Sequence, residues 1–197
     1  DTTLEIGYSD TVTYQGQTYS HFSDGLRVNQ TEWVSKLGYT FKTGVNFNIN
    51  EKMNVFANVG YLSRTPQFSN VVDNTRNRIF DTLLNENIIA FELGYGFTTK
   101  KFSGNLNGYY TRWENRPLPF GLTVQDPNDP LETIAVNVPG MDALHMGAEL
   151  DFAYRITKEI TFEGMVSIGD WKWQSNETVG IPGGDSVTFY ANGVHVG

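Results

Sequence analysis

The sequence predicts an all-β fold, namely the antiparallel wall of a transmembrane β-barrel with about seven or eight strands. Three observations support this fold class. Apolar and polar residues alternate along several long segments, and the connections between these segments are alternately short and long. The composition is rich in glycine and aromatic residues, and only 18% of the residues are charged. Alternation with period two is typical of strands with one apolar face.

Charge and composition exclude several classes of function. The formal net charge of −8 and the sequence pI of about 4.8 argue against a nucleic-acid partner, because no basic patch is present. The absence of cysteine excludes disulfides and cysteine nucleophiles. The mean hydropathy of −0.35 does not conflict with a membrane barrel, because only every second residue of a barrel strand faces lipid.

The longest alternating segment is residues 33–49, WVSKLGYTFKTGVNFNI. Seven of its nine odd positions are apolar or aromatic, namely Trp33, Leu37, Tyr39, Phe41, Val45, Phe47 and Ile49, whereas its even positions are mostly polar or glycine. A strand of this length exceeds the roughly 9 to 11 residues that a tilted strand needs to cross a membrane. We expect Ile49 at the periplasmic end and Trp33 at the outer end.

The other strands follow from the same alternation. The apolar faces are Leu4, Ile6 and Tyr8; Val55, Ala57, Val59 and Tyr61; Ile89, Phe91, Leu93, Tyr95 and Phe97; Phe102, Leu106 and Tyr110; Leu144, Met146, Ala148, Leu150, Phe152 and Tyr154; and Ile160, Phe162, Val166 and Ile168. A last strand is predicted near 186–196. The run IFDTLL at 79–84 is compatible with a helical turn.

The register of the hairpin around residues 98–101 can be predicted, because aromatic side chains on one strand would cover glycines on the other. If Phe97 faces Phe102, then Tyr95 lies opposite Gly104 and Phe91 opposite Gly108. An aromatic side chain would then cover each bare glycine of the neighbouring strand.

The lengths of the connections indicate which end of the strands is periplasmic and which is external. Short turns at 50–52, 98–101 and 156–159 alternate with long, polar connections at 64–86, 114–142 and 174–185. Outer-membrane barrels have short periplasmic turns and long external loops. A soluble β-sandwich also alternates apolar and polar residues, but it has no reason to sort its connections by end.

Three phrases of the chain resemble the barrel of TonB-dependent receptors. They are NVFANVGYLSRTPQF at 54–68, FELGYGFTTKKFSGNLNGYYTRWENR at 91–116 and ALHMGAELDFAYRITKEITFEGMVSIGDWKW at 143–173. The resemblance implies energy-coupled import of a nutrient, such as a glycan, peptide or siderophore-type ligand, across the outer membrane. It also implies a barrel of about 22 strands around a plug.

The resemblance further implies which partners to expect. They are outer-membrane lipid, the receptor's own plug domain, TonB and a surface lipoprotein. Because the chain has room for about a third of such a barrel, residues 1–197 are expected to be a partial barrel domain, with the plug and the remaining strands outside it. The alternatives are a complete outer-membrane barrel of about eight strands with a structural or adhesive role, and a soluble carbohydrate-binding β-sandwich.

Candidate functional residues fall into two groups. Arg64, Arg112, Trp113 and Arg116 are expected at the outer rim, where planar donors and aromatic rings can hold sugars or anionic ligands. Glu92, Glu149, Asp151 and Glu163 are expected on the face toward the lumen or plug. In both groups a structural role is the alternative, as rim and loop anchors or as polar pairs.

No enzymatic, metal or cofactor site is predicted. The three histidines have no metal-ligand spacing, and no serine lies in a nucleophile-elbow phrase. Asp126, Asn128 and Asp129 could offer oxygens to calcium, but the rest of a calcium loop is missing and an Asx turn is the better interpretation.

Overall fold

The computed structural model describes residues 10–20, 23, 33–73, 78–117, 122–125, 131, 133–181 and 184–196. Residues 4–8, with the first alternating run, and the segment 126–130 lie outside this part. Among the described residues, no helix has the length and apolar character that a membrane span requires.

The described structure consists of β-strands with one short 3-10 turn at Phe68–Asn70. In chain order the strands are β1 (Thr11–Tyr14), β2 (Gln17–Ser20), β3 (Tyr39–Asn50), β4 (Met53–Arg64), β5 (Val72–Asp73), β6 (Arg78–Ile79), β7 (Glu86–Thr98), β8 (Phe102–Arg116), β9 (Leu122–Gln125), β10 (Thr133–Val136), β11 (Met141–Arg155), β12 (Thr161–Trp173), β13 (Glu177–Gly180) and β14 (Ser186–Phe189).

Six long strands form one antiparallel sheet in the order β12-β11-β8-β7-β4-β3. We call this sheet the wall. Each long strand pairs with the long strand that precedes or follows it in the chain, as in an up-and-down barrel, and the short hairpins β5–β6 and β9–β10 lie in the connections. In the described part of the chain β3 and β12 are edge strands that do not pair with each other, so the wall is open. The predicted all-β antiparallel barrel wall is therefore confirmed.

The short turns at one end of the wall are fixed by local hydrogen bonds. Asn50 Oδ1 accepts from the Lys52 N–H at 2.8 Å, and Thr99 Oγ1 accepts from the Phe102 N–H at 2.9 Å. Thr157 Oγ1 accepts from the Ile160 N–H at 3.1 Å. Asn and Thr favour turns of this kind. All three turns lie at the same end of the wall, which we call the turn end.

The wall has one apolar and one polar face. On the apolar face Phe41, Val45, Phe47, Leu93 and Ile168 are each more than 60% exposed. Such a large bare apolar surface needs an apolar environment. The opposite, polar face carries asparagines, glutamates and glycines in register across the strands.

The predicted strand at 33–49 is wrong in its extent, because β3 begins at Tyr39. The last pair of the β3–β4 ladder is Tyr39 with Ser63. Residues 36 and 37 are instead held by side-chain bonds, from Lys36 Nζ to Leu83 O at 2.9 Å and from Asn85 Nδ2 to Leu37 O at 2.8 Å.

The predicted register between β7 and β8 is wrong by two residues. Phe97 lies opposite Gly104, and Tyr95 opposite Leu106. The cause is the turn, where the Thr99 N–H donates to Phe102 O at 2.6 Å and thereby fixes Phe102 opposite Thr99. A shift of two residues keeps every side chain on its predicted face. Glycine is still covered, because the Phe97 ring lies against Gly104.

Two further predictions are wrong. Residues 79–84 contain no helical turn, since Ile79 ends β6 and residues 80–85 are irregular. The strand predicted near 186–196 is divided: β14 pairs with β13, whereas residues 193–196 return to β12. There the Trp173 N–H donates to Val194 O and the Val196 N–H donates to Trp171 O, both at 2.9 Å.

Buried side chains gather at the other end of the wall, the outer end. They are Ser63, Asn70, Glu86, Val136, Val138, Met141 and Ala143. Asn137 joins two long connections there. Its Oδ1 accepts from Asn70 Nδ2 at 3.1 Å, and its Nδ2 donates to Asn70 O at 3.1 Å and to Thr82 O at 3.3 Å. The outer connections are thus packed against the wall and each other.

Candidate functional site

A β-bulge near the outer end of β8 changes the direction of its side chains. The β8–β11 register shifts between the pairs Trp113–Ala143 and Arg116–Met141. Asn115 sits in the left-handed region at φ 55°, and its N–H donates to Asp142 Oδ1 at 3.2 Å. One extra residue at a bulge reverses the alternation beyond it. Trp113 and Arg116 therefore lie on the same, polar face.

Arg116 is the centre of an aromatic group on this face. Its guanidinium carbon lies 4.8 Å from the ring centroid of Trp113 and 5.7 Å from that of Trp173. Cation–π contacts of this kind hold a guanidinium without a carboxylate partner. His145 extends the group, with its ring 5.8 Å from Trp113 and 5.6 Å from Trp171.

Tyr109 completes the group by lying across two glycines. Its hydroxyl accepts from Trp171 Nε1 at 2.9 Å. A Cβ at Gly147 would come within 2.6 Å of that hydroxyl, and one at Gly169 within 2.8 Å. Both glycines are required for the close approach of the tyrosine. We call Tyr109, Trp113, Arg116, His145, Trp171 and Trp173 the outer cluster.

Several polar atoms of the outer cluster are buried and lack a hydrogen-bond partner among the described residues. They are Trp113 Nε1, Arg116 Nη1 and His145 Nε2. The indole and guanidinium nitrogens can only donate. Unpaired buried donors are costly, so these atoms are the polar groups of the cluster that have hydrogen-bonding capacity left.

The structure separates the four predicted rim residues. Trp113 and Arg116 lie together in the outer cluster. Arg64 forms an ion pair with the buried Glu86. Arg112 lies on the apolar face, with its Nε 3.2 Å from Glu114 Oε1 and a terminal nitrogen 3.9 Å from Asp142 Oδ2. A ligand-binding role remains a prediction for all four.

Sequence reasoning missed four members of the outer cluster: Tyr109, His145, Trp171 and Trp173. The alternation already placed His145 on the polar face, and the DWKW phrase at 170–173 puts two tryptophans on one face of a strand. What the sequence lacked was the register, since His145 lies directly opposite both Thr111 and Trp171. The bulge that reorients Arg116 was equally hidden.

The four predicted carboxylates share the polar face. Glu92 Oε2 accepts from Asn58 Nδ2 at 2.8 Å, and Glu149 Oε1 accepts from Ser167 Oγ at 3.2 Å. Asp151 and Glu163 border a cavity of about 460 Å³ near the turn end. Glu92 and Glu149 thus each pair with a side chain on a neighbouring strand. Whether this face meets a plug remains a prediction.

A small cleft lies between the outer connections. It has a volume of about 280 Å³ and is lined by parts of residues 79–82, 136–139 and 177–180. Burial raises the pKa of the Glu177 carboxyl, and the nearby Asp142 carboxylate raises it further. Within the described ranges, no group of three or more His, Asp or Glu residues could hold a metal ion.

An open antiparallel wall with an exposed apolar face, short turns at one end and long connections at the other defines an outer-membrane barrel protein. Over residues 2–194 the chain matches the family model described as TonB dependent receptor-like, beta-barrel. The chain therefore belongs to this family of outer-membrane transport receptors, which act with a plug domain and TonB. No curated protein and no solved structure gave a significant match.

Proposed function

We propose that this chain forms the ligand-binding part of the wall of a receptor that imports a glycan across the outer membrane, and that the outer cluster contacts this glycan. The observation that carries the proposal is the stacked group of Trp113, Arg116 and Trp173 with its unpaired donors. Aromatic faces pack against the apolar faces of sugar rings, and N–H donors suit their hydroxyl and carboxylate oxygens.

The faces of the wall give this receptor its orientation. The apolar face would meet outer-membrane lipid, and the polar face would meet the lumen and plug. The edge of β3, and the edge of β12 beyond its short pairing with residues 193–196, would pair with further strands of a barrel of about 22. A surface lipoprotein would meet the receptor at the long outer connections.

The orientation can be tested with single cysteines, because the chain contains none. We expect Leu93→Cys to react only with a lipid-soluble maleimide and Thr178→Cys to react with an impermeant maleimide on intact cells. Lys158→Cys, in a short turn, should react with the impermeant reagent only after the outer membrane is opened. Surface labelling of Lys158→Cys would contradict the orientation.

Ligand contact can be tested by uptake of a fluorescent panel of neutral and acidic oligosaccharides into cells that carry the intact receptor. Trp173→Leu should lower TonB-dependent uptake at least about tenfold, the effect of losing one interface hot spot. Trp33→Leu is the matched control, because Trp33 is 92% exposed and lies outside the cluster. Equal uptake by both variants would contradict the role of the cluster. Growth on a ferric siderophore that depends on Trp173 would contradict the glycan ligand.

A further inference from the structure

Next to the outer cluster, the polar face contains a depression of about 590 Å³. Two adjacent rows of the sheet form it. One row runs Lys42, Gly60, Ala90 and Thr111, and the other runs Gly44, Asn58, Glu92 and Tyr109. Small residues make the floor and longer polar side chains make the border. Tyr109 also belongs to the outer cluster, so the two surfaces are continuous.

The open floor at Gly60 is not a requirement of wall packing. A Cβ there would meet only Lys42 Cγ at 3.6 Å and Phe41 O at 4.0 Å, which is ordinary van der Waals contact. At Gly44, by contrast, a Cβ would collide with the Asn58 side chain. A glycine inside a strand lowers the stability of that strand, and the wall would accept a side chain at position 60. Packing of the wall therefore does not explain the open space at Gly60.

The depression also carries a positive charge that no carboxylate of the wall neutralises. In the described part of the wall, Arg64, Arg112 and Lys172 have carboxylate partners. Lys42, Arg116 and Arg155 have none within ion-pair distance. Arg155 lies at the turn end, whereas Lys42 borders the depression and Arg116 lies in the outer cluster.

The border offers groups for a hydroxylated ring as well as for an anion. Glu92 uses Oε2 for its bond to Asn58, which leaves Oε1 as an acceptor. Thr111 has a hydroxyl on the same border. The Tyr109 ring offers an aromatic edge. An ammonium group, a carboxylate, a hydroxyl and an aromatic ring around an open floor match a sugar ring that carries an acid group.

We propose that the depression is a subsite for an acidic sugar residue, in which Lys42 pairs with the carboxylate of a uronic acid and Glu92 and Thr111 bind ring hydroxyls. The proposal rests on the proposed function and narrows its ligand to an acidic oligosaccharide. One ring occupies the depression, while a neighbouring ring of the same chain lies against the outer cluster near Arg116.

The test is the binding of tetragalacturonic acid and of its neutral methyl ester to outer-membrane vesicles that carry the intact receptor. Lys42→Met should weaken binding of the acid roughly tenfold, the usual worth of a charge-assisted bond, and leave the ester unchanged. Gly60→Leu, which fills the floor, should weaken both ligands. Gly108→Leu is the matched control, since Gly108 is equally open but lies in a groove on the apolar face.

The outcomes separate this proposal from the function on which it rests. Equal effects of Lys42→Met on acid and ester, or unchanged binding by Gly60→Leu, would overturn the acidic subsite. Binding of the ester but not of the acid by the unmodified receptor would also overturn it. In each case glycan uptake would still stand if Trp173→Leu, but not Trp33→Leu, abolished uptake of neutral oligosaccharides.

Discussion

The outer end and the turn end of the wall are built on the same six strands but differ in burial and in polar pairing. Met141, Ala143 and Glu86 at the outer end are no more than 2% exposed. Toward the turn end, Phe47 and Phe162 are 67% and 57% exposed. On the polar face there, some amides pair with each other, as where Asn54 Nδ2 donates to Asn46 Oδ1 at 2.8 Å.

The difference shows where this wall can bind a ligand. Amides that pair with each other across neighbouring strands, such as Asn46 and Asn54, have little left to offer a ligand. In the outer cluster aromatic rings replace such partners, so the donors of Trp113 and Arg116 remain unpaired. Backbone hydrogen bonds from the Trp173 N–H to Val194 O and from the Val196 N–H to Trp171 O hold two members of the cluster in place, which is what a preorganised site needs.

The largest expected effect is on the buried ion pair at the outer end. Arg64→Met would leave the Glu86 carboxylate buried without its cation, and should lower the free energy of unfolding by about 2 to 3 kcal/mol, somewhat below the usual cost because Arg64 is half exposed. Unfolding of the purified receptor in detergent micelles, followed by tryptophan fluorescence, measures this change.

Two further variants test the same difference between the outer end and the rest of the wall. Adding Glu86→Gln to Arg64→Met should restore most of the loss, because the buried charge is removed. Asn58→Ala, which breaks an exposed pair in the middle of the wall, should cost less than about 1 kcal/mol. If Arg64→Met were as stable as Asn58→Ala, the outer end would not be the more tightly coupled one.

Much of the fold could be predicted from the sequence, because alternation and connection length report which face a residue occupies and which end a turn occupies. Alternation is blind to a register shift of two residues, which is why the predicted pair of Phe97 and Phe102 failed while both faces were right. It is equally blind to side-chain hydrogen bonds, so the bond from Asn85 Nδ2 to Leu37 O, just before the start of β3, was missed.

The candidate site was harder to predict because it depends on contacts between distant parts of the chain. Strict alternation would put Trp113 and Arg116 on opposite faces of β8. The bulge at Asn115 places them on the same face. Arg64 and Arg116 are each the last residue of a strand, but Arg64 lies opposite Glu86 on the neighbouring strand and pairs with it. The carboxylates on regular strand positions, such as Glu92 and Glu149, lie together on the polar face, and their contact with the lumen or plug stays a prediction.

A smaller effect is expected when glycines at the two ends are replaced. At Gly147 a Cβ would collide with the backbone oxygen of Ile168 and with the Tyr109 side chain. Because a backbone atom cannot swing away, Gly147→Ala should cost about 1 to 2 kcal/mol and displace Tyr109 from Trp171.

Gly96 provides the comparison nearer the turn end. There the obstacles are the ends of the Asn54 and Asn105 side chains, which can rotate away at the cost of the exposed bond from Asn54 to Asn46, so Gly96→Ala should cost less than about 1 kcal/mol. Urea unfolding gives both values, and the emission of Trp171 reports whether the outer cluster is disturbed. Equal losses at Gly96 and Gly147 would mean that the cluster is no more tightly packed than the rest of the polar face.

The smallest expected effect concerns the pH dependence of the outer connections. Folding raises the pKa of Glu177 above its ordinary value of 4.5, so the neutral carboxyl is favoured when the connections are packed. The stabilisation is therefore present at pH below 4.5 and is lost as the pH rises through the raised value. Glu177→Gln should remove this dependence and slow hydrogen exchange of residues 177–180 at neutral pH. Asp185→Asn, in the exposed connection of the same hairpin, is the control, and an equal change in both variants would show that net charge rather than burial of Glu177 governs the packing.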